Sequence, residues 1–393
     1  MTKLFRLGFL WICLLIFVIS CIEPFEPQII KFTSALVVEA TITDENKEQE
    51  IFITRTFPLD TSGVYGESGA KVQVLDSNGG AYDFSDQGQG RYVSNMSFAA
   101  QSGIGYTLNI VTKEGVTYSS TEEIAPNPTQ IDSVYAVRDF KDDGAEEGMF
   151  IYLDSFDATG ENKYYRYEYE ETYKIIAPFW TNKELYLIPP DNLVDVRIRS
   201  QEEQVCFKTN RSADILQAKT DDFNEVRITQ FPVRFINRND FSISHRYSIL
   251  VKQWIQTREA YVYYNTLNEL SGSESVFSQI QTGFLEGNIT STDKNENVVG
   301  YFGVSSYDEK RIFFDYVDFF RGEDRPPYIV ECPFLSNINA LITDIERHAT
   351  TYWDDNNGQY GNFSKPSPYI VVPVECGDCT VLGSNEVPEF WEE

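Results

Sequence analysis

The stretch Lys71-Val72-Gln73-Val74-Leu75-Asp76-Ser77-Asn78-Gly79-Gly80-Ala81-Tyr82-Asp83-Phe84 settles the class of fold. Val72 and Val74 alternate with polar neighbours, Tyr82 and Phe84 do the same, and Asn78-Gly79 lies between the two runs. Asn-Gly in that setting is the strongest short hairpin signal, because a tight primed turn needs positive φ at both positions. The same period of two extends in both directions. Upstream, Leu36-Val37-Val38 opens a strand, and Ile51, Ile53 and Phe57 alternate with polar positions. Downstream come Gly90-Arg91-Tyr92-Val93, then Tyr106, Leu108 and Ile110, a Glu114-Gly115 turn, and Val116 with Tyr118. About seven short strands in about ninety residues predict a small N-terminal β-sandwich over 33–125, immunoglobulin-like or prealbumin-like. Ala125-Pro126-Asn127-Pro128-Thr129 marks the domain boundary.

Residues 130–393 read as a larger β-sandwich-type domain. Strands are expected over Ile131–Val137 and Met149–Leu153, with Asp142, Asp143, Glu146 and Glu147 in a solvated turn between them. Tyr164–Ile176 is a long strand with two faces. Tyr165, Tyr167, Tyr169, Tyr173 and Ile175 point one way, and Arg166, Glu168, Glu170 and Lys174 the other. The tyrosine side is either a ligand platform or a core face, and alternation favours the core. The segment from Pro178 to about Asn224 is less regular and reads as an insertion. Val226–Phe235 and Arg246–Ile255 return to strand. Two short amphipathic helices are expected. One lies near 257–271, capped by Thr257, with Ala260, Tyr263, Tyr264, Leu267 and Leu270 on its apolar face. The other lies near 336–349, with Ile338, Leu341, Ile342 and Ile345 on that face and Arg347 at its end.

The N-terminus supplies an address. Lys3 and Arg6 precede an apolar run from Leu7 to Ile19, which is secretory signal logic. As a helix the run spans only ~20 Å, short of a hydrocarbon core of ~30 Å. Val18-Ile19-Ser20-Cys21 resembles a bacterial lipobox, so residues 1–20 are expected to be removed and Cys21 acylated. Residues 21–32 then form an extended lipidated tether, with helix limited by Pro24 and Pro27. Glu23 and Glu26 resemble the acidic signal that sends some lipoproteins to the outer face of the outer membrane. The expected location is therefore the outer membrane, held by lipid and facing the cell exterior.

The net charge of −28 becomes about −30 once Lys3 and Arg6 are removed with the signal. Such a chain does not seek nucleic acid or an anionic bilayer surface. Its 24 Tyr, 28 Phe and 5 Trp, with ordinary Gly and Pro, exclude a disordered chain. Four cysteines remain beyond Cys21: Cys206, Cys332, Cys376 and Cys379. An even number in an exported chain favours two disulfides, with three connectivities open. Cys376-Gly377-Asp378-Cys379 could instead be a redox pair or half a zinc site, but no redox-fold context surrounds it and His245 and His348 give no zinc spacing.

No nucleophile elbow, HExxH or phosphate loop is present. Two histidines leave little for acid–base work at neutral pH. Asp354-Asp355-Asn356-Asn357-Gly358 fails as an EF-hand loop, and Asp293, Asn295 and Asn297 lack the glycine and the closing Glu. No catalytic residue, metal site or cofactor is assigned, although a pair of carboxylates for glycoside hydrolysis stays open among 60 acidic residues.

Three segments together carry a family resemblance. They are Leu36-Val37-Val38-Glu39-Ala40 after the lipid cysteine; Arg246–Gln253 with Glu259-Ala260-Tyr261, Gly287-Asn288-Ile289 and Gly300-Tyr301-Phe302; and Cys376–Cys379 with Gly383-Ser384-Asn385 and Pro388-Glu389-Phe390-Trp391. The chain resembles domain-of-unknown-function family 4249, outer-membrane lipoproteins often encoded beside TonB-dependent transporters of the starch-utilisation type. The resemblance implies an address and a transporter partner, and carries over no catalytic residue and no ligand. The expectation is a non-enzymatic accessory or ligand-capture component of an uptake system, working through aromatic and polar surface on the larger β-domain. The alternatives are a cell-surface hydrolase acting on glycans and a structural envelope lipoprotein.

Overall fold

A computed structural model describes residues 34–57, 63, 65–221, 225–271, 285–358 and 366–393. The expected signal segment, Cys21 and the tether over 21–32 lie outside the described residues. The chain is mainly β, as its alternation predicts.

Nine strands come first: β1 (Ala35–Thr43), β2 (Glu50–Arg55), β3 (Tyr65–Gly66), β4 (Lys71–Asp76), β5 (Ala81–Asp86), β6 (Arg91–Ser94), β7 (Gly105–Val111), β8 (Thr117–Ser120) and β9 (Glu123–Ile124). The β4–β5 hairpin forms as expected, pairing Val72 with Phe84 and Val74 with Tyr82. Its turn is of another type. Gly79 has φ +90° whereas Asn78 is not in the left-handed region. The Asp76 carboxylate accepts the backbone N–H groups of Asn78 and Gly80 and the Tyr82 hydroxyl, so a side chain rather than a second positive φ fixes the loop.

The boundary at 125 needs correction. The outer edge of β1 pairs in parallel with β20 (Asn297–Ser305), and β8 pairs with β19 (Ile289–Ser291). The sheet runs β19-β8-β7-β4-β5-β6-β2-β1-β20 around one core, and its two ends lie beside each other, so it is nearly closed. A parallel neighbour needs a long crossover, and that pairing leaves no local signal. Gly300, with φ +139°, sits where a Cβ would be 2.1 Å from the Val38 carbonyl oxygen, and a Cβ on Gly287 would be 1.6 Å from that of Gly300. Both glycines are thus required by close backbone approach, whereas Gly303 has ordinary room.

The second unit is a true sandwich. One layer is β10 (Ile131–Lys141), β11 (Glu146–Phe156) and β17 (Arg227–Asn237), in the order β10-β11-β17. The other holds β12 (Tyr164–Ile176), β15 (Val205–Arg211), β16 (Leu216–Lys219), β18 (Arg246–Gln256) and β21 (Tyr307–Asp315). Met149, Ile151 and Leu153 from the first layer meet Tyr165, Tyr167, Ile249 and Val251 from the second. The tyrosine face of β12 is therefore core. The segment 178–224 is not wholly an insertion, because β15 and β16 both pair with β12. What stands apart is the hairpin of β13 (Lys183–Ile188) and β14 (Leu193–Ile198).

Helix α1 (Arg258–Ser271) is capped as expected, with the Thr257 hydroxyl accepting the Ala260 N–H, and it buries Ala260 and Tyr263 against Tyr301. After a single turn, α2 (Tyr316–Phe319), come β22 (Leu335–Asn337), α3 (Ile338–Glu346), β23 (Thr350–Asp355) and β24 (Pro366–Pro373). Leu341 of α3 is buried, but Ile342 is exposed. No described helix is long and apolar enough to cross a membrane.

The turn α4 (Val374–Gly377) carries Cys376, and a following 3-10 turn (Cys379–Val381) begins with Cys379. Cys206 on β15 bonds Cys379, and Cys332 bonds Cys376, with Cα separations of 5.7 and 5.8 Å. Cys376 and Cys379 therefore serve different bridges, and the motif is no redox dithiol. The tail beyond is tied down: Trp391 packs on Phe207 and Phe313, the Arg311 guanidinium lies 3.6 Å from the Phe390 ring centre, and Lys174 pairs with Glu393.

Alkylation of the denatured, unreduced protein should find no free thiol among the four cysteines. Replacing Cys206 and Cys379 together by Ser should lower stability by roughly 2–5 kcal/mol in denaturant titration. Four reactive thiols, or a mapped Cys376–Cys379 peptide, would refute the pairing.

Candidate ligand-binding face

Strand β11 separates its side chains by type. Met149, Ile151 and Leu153 go inward and are fully buried, while Phe150, Tyr152, Asp154 and Phe156 stand on the other face. That outer face stays partly open, because no second layer covers this side of β10-β11-β17 among the described residues. Register brings the neighbours into line: Tyr135 of β10 lies opposite Tyr152, Val137 opposite Phe150, and Phe235 of β17 on the far side of Phe150. Four half-buried rings form a continuous band. Phe150 and Tyr152 have centroids 5.4 Å apart with planes within 6°, Tyr135 is 5.9 Å from Tyr152, and Phe235 is 4.7 Å from Phe150. Phe150 and Tyr152 are parallel, while Tyr135 is tilted by 43° from Tyr152 and Phe235 by 48° from Phe150; such pairs contribute about 0.5–1.5 kcal/mol beyond area burial, which fixes the rings against one another before anything binds.

One end of the band is polar. Asp154 accepts the Ser133 hydroxyl at 3.1 Å and the Gln230 N–H at 2.7 Å, with the Tyr135 hydroxyl at 3.4 Å. Gln230 has φ +53°, at a register shift between Leu153 and Ser155. A non-glycine residue held left-handed is unfavourable, and here the bulge aims its N–H at the carboxylate. Partial desolvation, with Asp154 adding to it, raises the Tyr135 phenol above its usual range, so this hydroxyl stays protonated. Cations flank the band: the Arg227 guanidinium lies 4.1 Å from the Phe156 ring centre and the Lys141 ammonium 5.5 Å from that of Phe235.

The face is legible in Met149–Phe156, where aliphatic side chains alternate with aromatic and acidic ones, although the longer aromatic alternation lies on β12. On β12 the inward row also holds Glu171, a buried carboxylate that accepts the Tyr247 hydroxyl at 2.7 Å and faces Arg234 at 3.2 Å. It is a paired core charge and lies away from the outer band. Of the acidic turn, Asp142 and Glu146 are exposed, but Glu147 joins a network with Arg138, Arg238 and Glu323. The Arg138 and Arg238 donors keep the Glu147 carboxyl below its usual range.

The remaining candidates disperse. Asp293 closes a polar turn by accepting the Asn295 N–H, and Asp355 accepts the Tyr352 hydroxyl. Among the described residues no cluster of His, Cys, Asp or Glu is arranged to hold a metal ion. His348 adopts φ +52° after α3. His245 sits near Arg325 and Lys174, and burial with those two cations pushes its pKa down to about 4.

A family model described as Domain of unknown function (DUF4249) matches residues 22–311. No curated protein matches the chain. All three strands of the aromatic face fall within the matched residues, while Cys332, Cys376, Cys379 and the tail lie beyond them.

Burial of His245 makes stability depend on pH. Its folded pKa lies below the ordinary 6.5, so the unfolded chain binds a proton that the folded chain does not as pH falls from 6.5 towards 4. Stability should fall across that window by at most about 3 kcal/mol and change no further from this group below it. Denaturant midpoints against pH, compared with His245→Gln, check this; identical slopes in the two proteins would refute it.

Proposed function

The chain belongs to this family of unknown function, and from that premise we propose a lipid-anchored, non-enzymatic ligand-capture protein of the outer membrane, acting beside a TonB-dependent transporter. The observation that carries the proposal is the contiguous aromatic band of Tyr135, Tyr152, Phe150 and Phe235 with Asp154 at its end. A contiguous row of half-buried rings with a carboxylate at its end suits a ligand that combines apolar and polar surface. Sugar rings of a glycan have that character: their C–H faces stack, and their hydroxyls donate to a carboxylate such as Asp154. An open sheet face holds a ligand without excluding water from a reacting bond, which is the work of a binder rather than a catalyst. Cys21 and the tether supply the anchor. The strongly acidic chain avoids the anionic bilayer surface, so lipid rather than charge keeps it in place.

The competing reading is a surface hydrolase on glycans. Affinity electrophoresis of the full chain through gels containing individual polysaccharides should show retardation by at least one of them. Tyr152→Ala and Phe150→Ala should weaken it about tenfold or more, as expected for central aromatic anchors. Cys21→Ala should abolish lipid labelling, release the protein from membranes and separate it from its transporter on affinity purification. Sugar release that one Asp or Glu substitution reduces by about 10²-fold or more, with folding and transporter binding intact, would replace the binder by the hydrolase.

A further inference from the structure

A cavity of about 730 Å³ lies where helix α1 crosses the nearly closed first sheet, away from the aromatic face. Its lining includes Glu123 of β9, Tyr301 of β20, Asn288 before β19, and Val262 and Tyr263 of α1, with Leu285 completing an apolar wall. The volume is that of a small-molecule site. Glu123 is only 6% exposed. Its carboxylate accepts the Tyr301 hydroxyl at 2.6 Å, an Asn288 amide N–H at 3.1 Å and the Thr257 hydroxyl at 3.1 Å. Asn288 is itself fixed by two hydrogen bonds to the Phe302 backbone, so the donor set is built into the closure of the sheet.

Both oxygens of Glu123 are thus occupied by donors. That arrangement fixes a carboxylate acceptor and leaves no free oxygen placed to pass a proton to a substrate. Arg258 lines the same cavity, but no ion pair between it and Glu123 forms; burial raises the Glu123 carboxyl above its usual range, and Glu259 at the cavity rim adds to that. A buried negative charge without a counter-charge is costly unless something else supplies one. Beside it the rings of Tyr263 and Tyr301 stand 5.4 Å apart, tilted by 37°. Tyrosine rings beside a carboxylate are the environment that recognises an organic ammonium ion. A metal ion would want several oxygen ligands in place of rings and aliphatic walls, and an anion would meet Glu123, Glu259 and Glu286 against the single cation Arg258.

We propose that this cavity binds an organic ammonium ion, its cationic head against Glu123, Tyr263 and Tyr301 and its apolar body along Val262 and Leu285.

The test is isothermal titration of the full chain, purified in detergent, with choline, tetramethylammonium and n-butylamine. Choline's uncharged tert-butyl isostere serves as the neutral control. At least one cation should bind saturably at one per chain, and the isostere about tenfold or more weaker than choline. Glu123→Gln should weaken cation binding about tenfold or more. Val262 is 52% exposed, so Val262→Lys places a cation at the mouth without disturbing the core and should also weaken binding; it decides the matter if Glu123→Gln does not fold. Tyr152→Ala, on the aromatic face, should leave ammonium binding unchanged, so failure of the glycan reading is scored separately. Equal binding of choline and its isostere, unaltered binding in Val262→Lys, or no saturable binding of any of the three cations up to about 10 mM would overturn the proposal.

Discussion

Residues 305–307 carry the chain from one sheet to the other, and the two units are held together there. β20 ends at Ser305 in the first sheet and β21 begins at Tyr307 in the second. The Ser305 hydroxyl donates to the Ile255 carbonyl at 2.7 Å, and the Ser306 hydroxyl accepts the Thr129 N–H at 3.3 Å. The Tyr307 N–H donates to Asp44 at 2.8 Å, just past the end of β1. One short crossing thus ties together the first strand, the linker and the second sandwich. The proline-rich segment at 125–129 behaves accordingly. Thr129 is buried, its carbonyl accepts the Gln253 amide, and Asn162 holds both the Asn127 carbonyl and the Thr129 hydroxyl. It is a change of sheet fixed by hydrogen bonds, and linker composition alone would have suggested a hinge.

What the sequence made legible follows from how far each determinant reaches. The hairpin at 71–84 was readable because pattern and turn lie within fourteen residues of each other. The core face of β12 was readable because alternation is a property of the strand itself. The β1–β20 pairing joins residues more than 250 apart, and the only trace it leaves is Gly300, whose reason appears once Val38 is seen against it. The aromatic band needed register as well as alternation: Tyr135, Phe150 and Phe235 come from three strands. Glu171 was hidden by a different rule. An acidic residue on an inward row contradicts simple patterning, and only its partners Tyr247 and Arg234 explain it. The cysteines show the same limit. Their number implied bridges, but Cys376 and Cys379 take partners from 44 and 173 residues away.

A partly open aromatic sheet face is a liability, since it invites pairing with another copy. β17 is the edge strand beside the band, and several features blunt it. Pro232 has no N–H to offer, Gln230 and the two register shifts break the flat edge, and Arg227 and Arg238 place charge at its two ends. Each feature resists growth of the sheet from its edge while leaving the outer side of the sheet partly open. Had the aromatics been covered by another copy through strand addition, a straight edge with free N–H groups would have served better. A guarded edge beside a partly open face fits the proposed use of the band as a contact surface for a ligand.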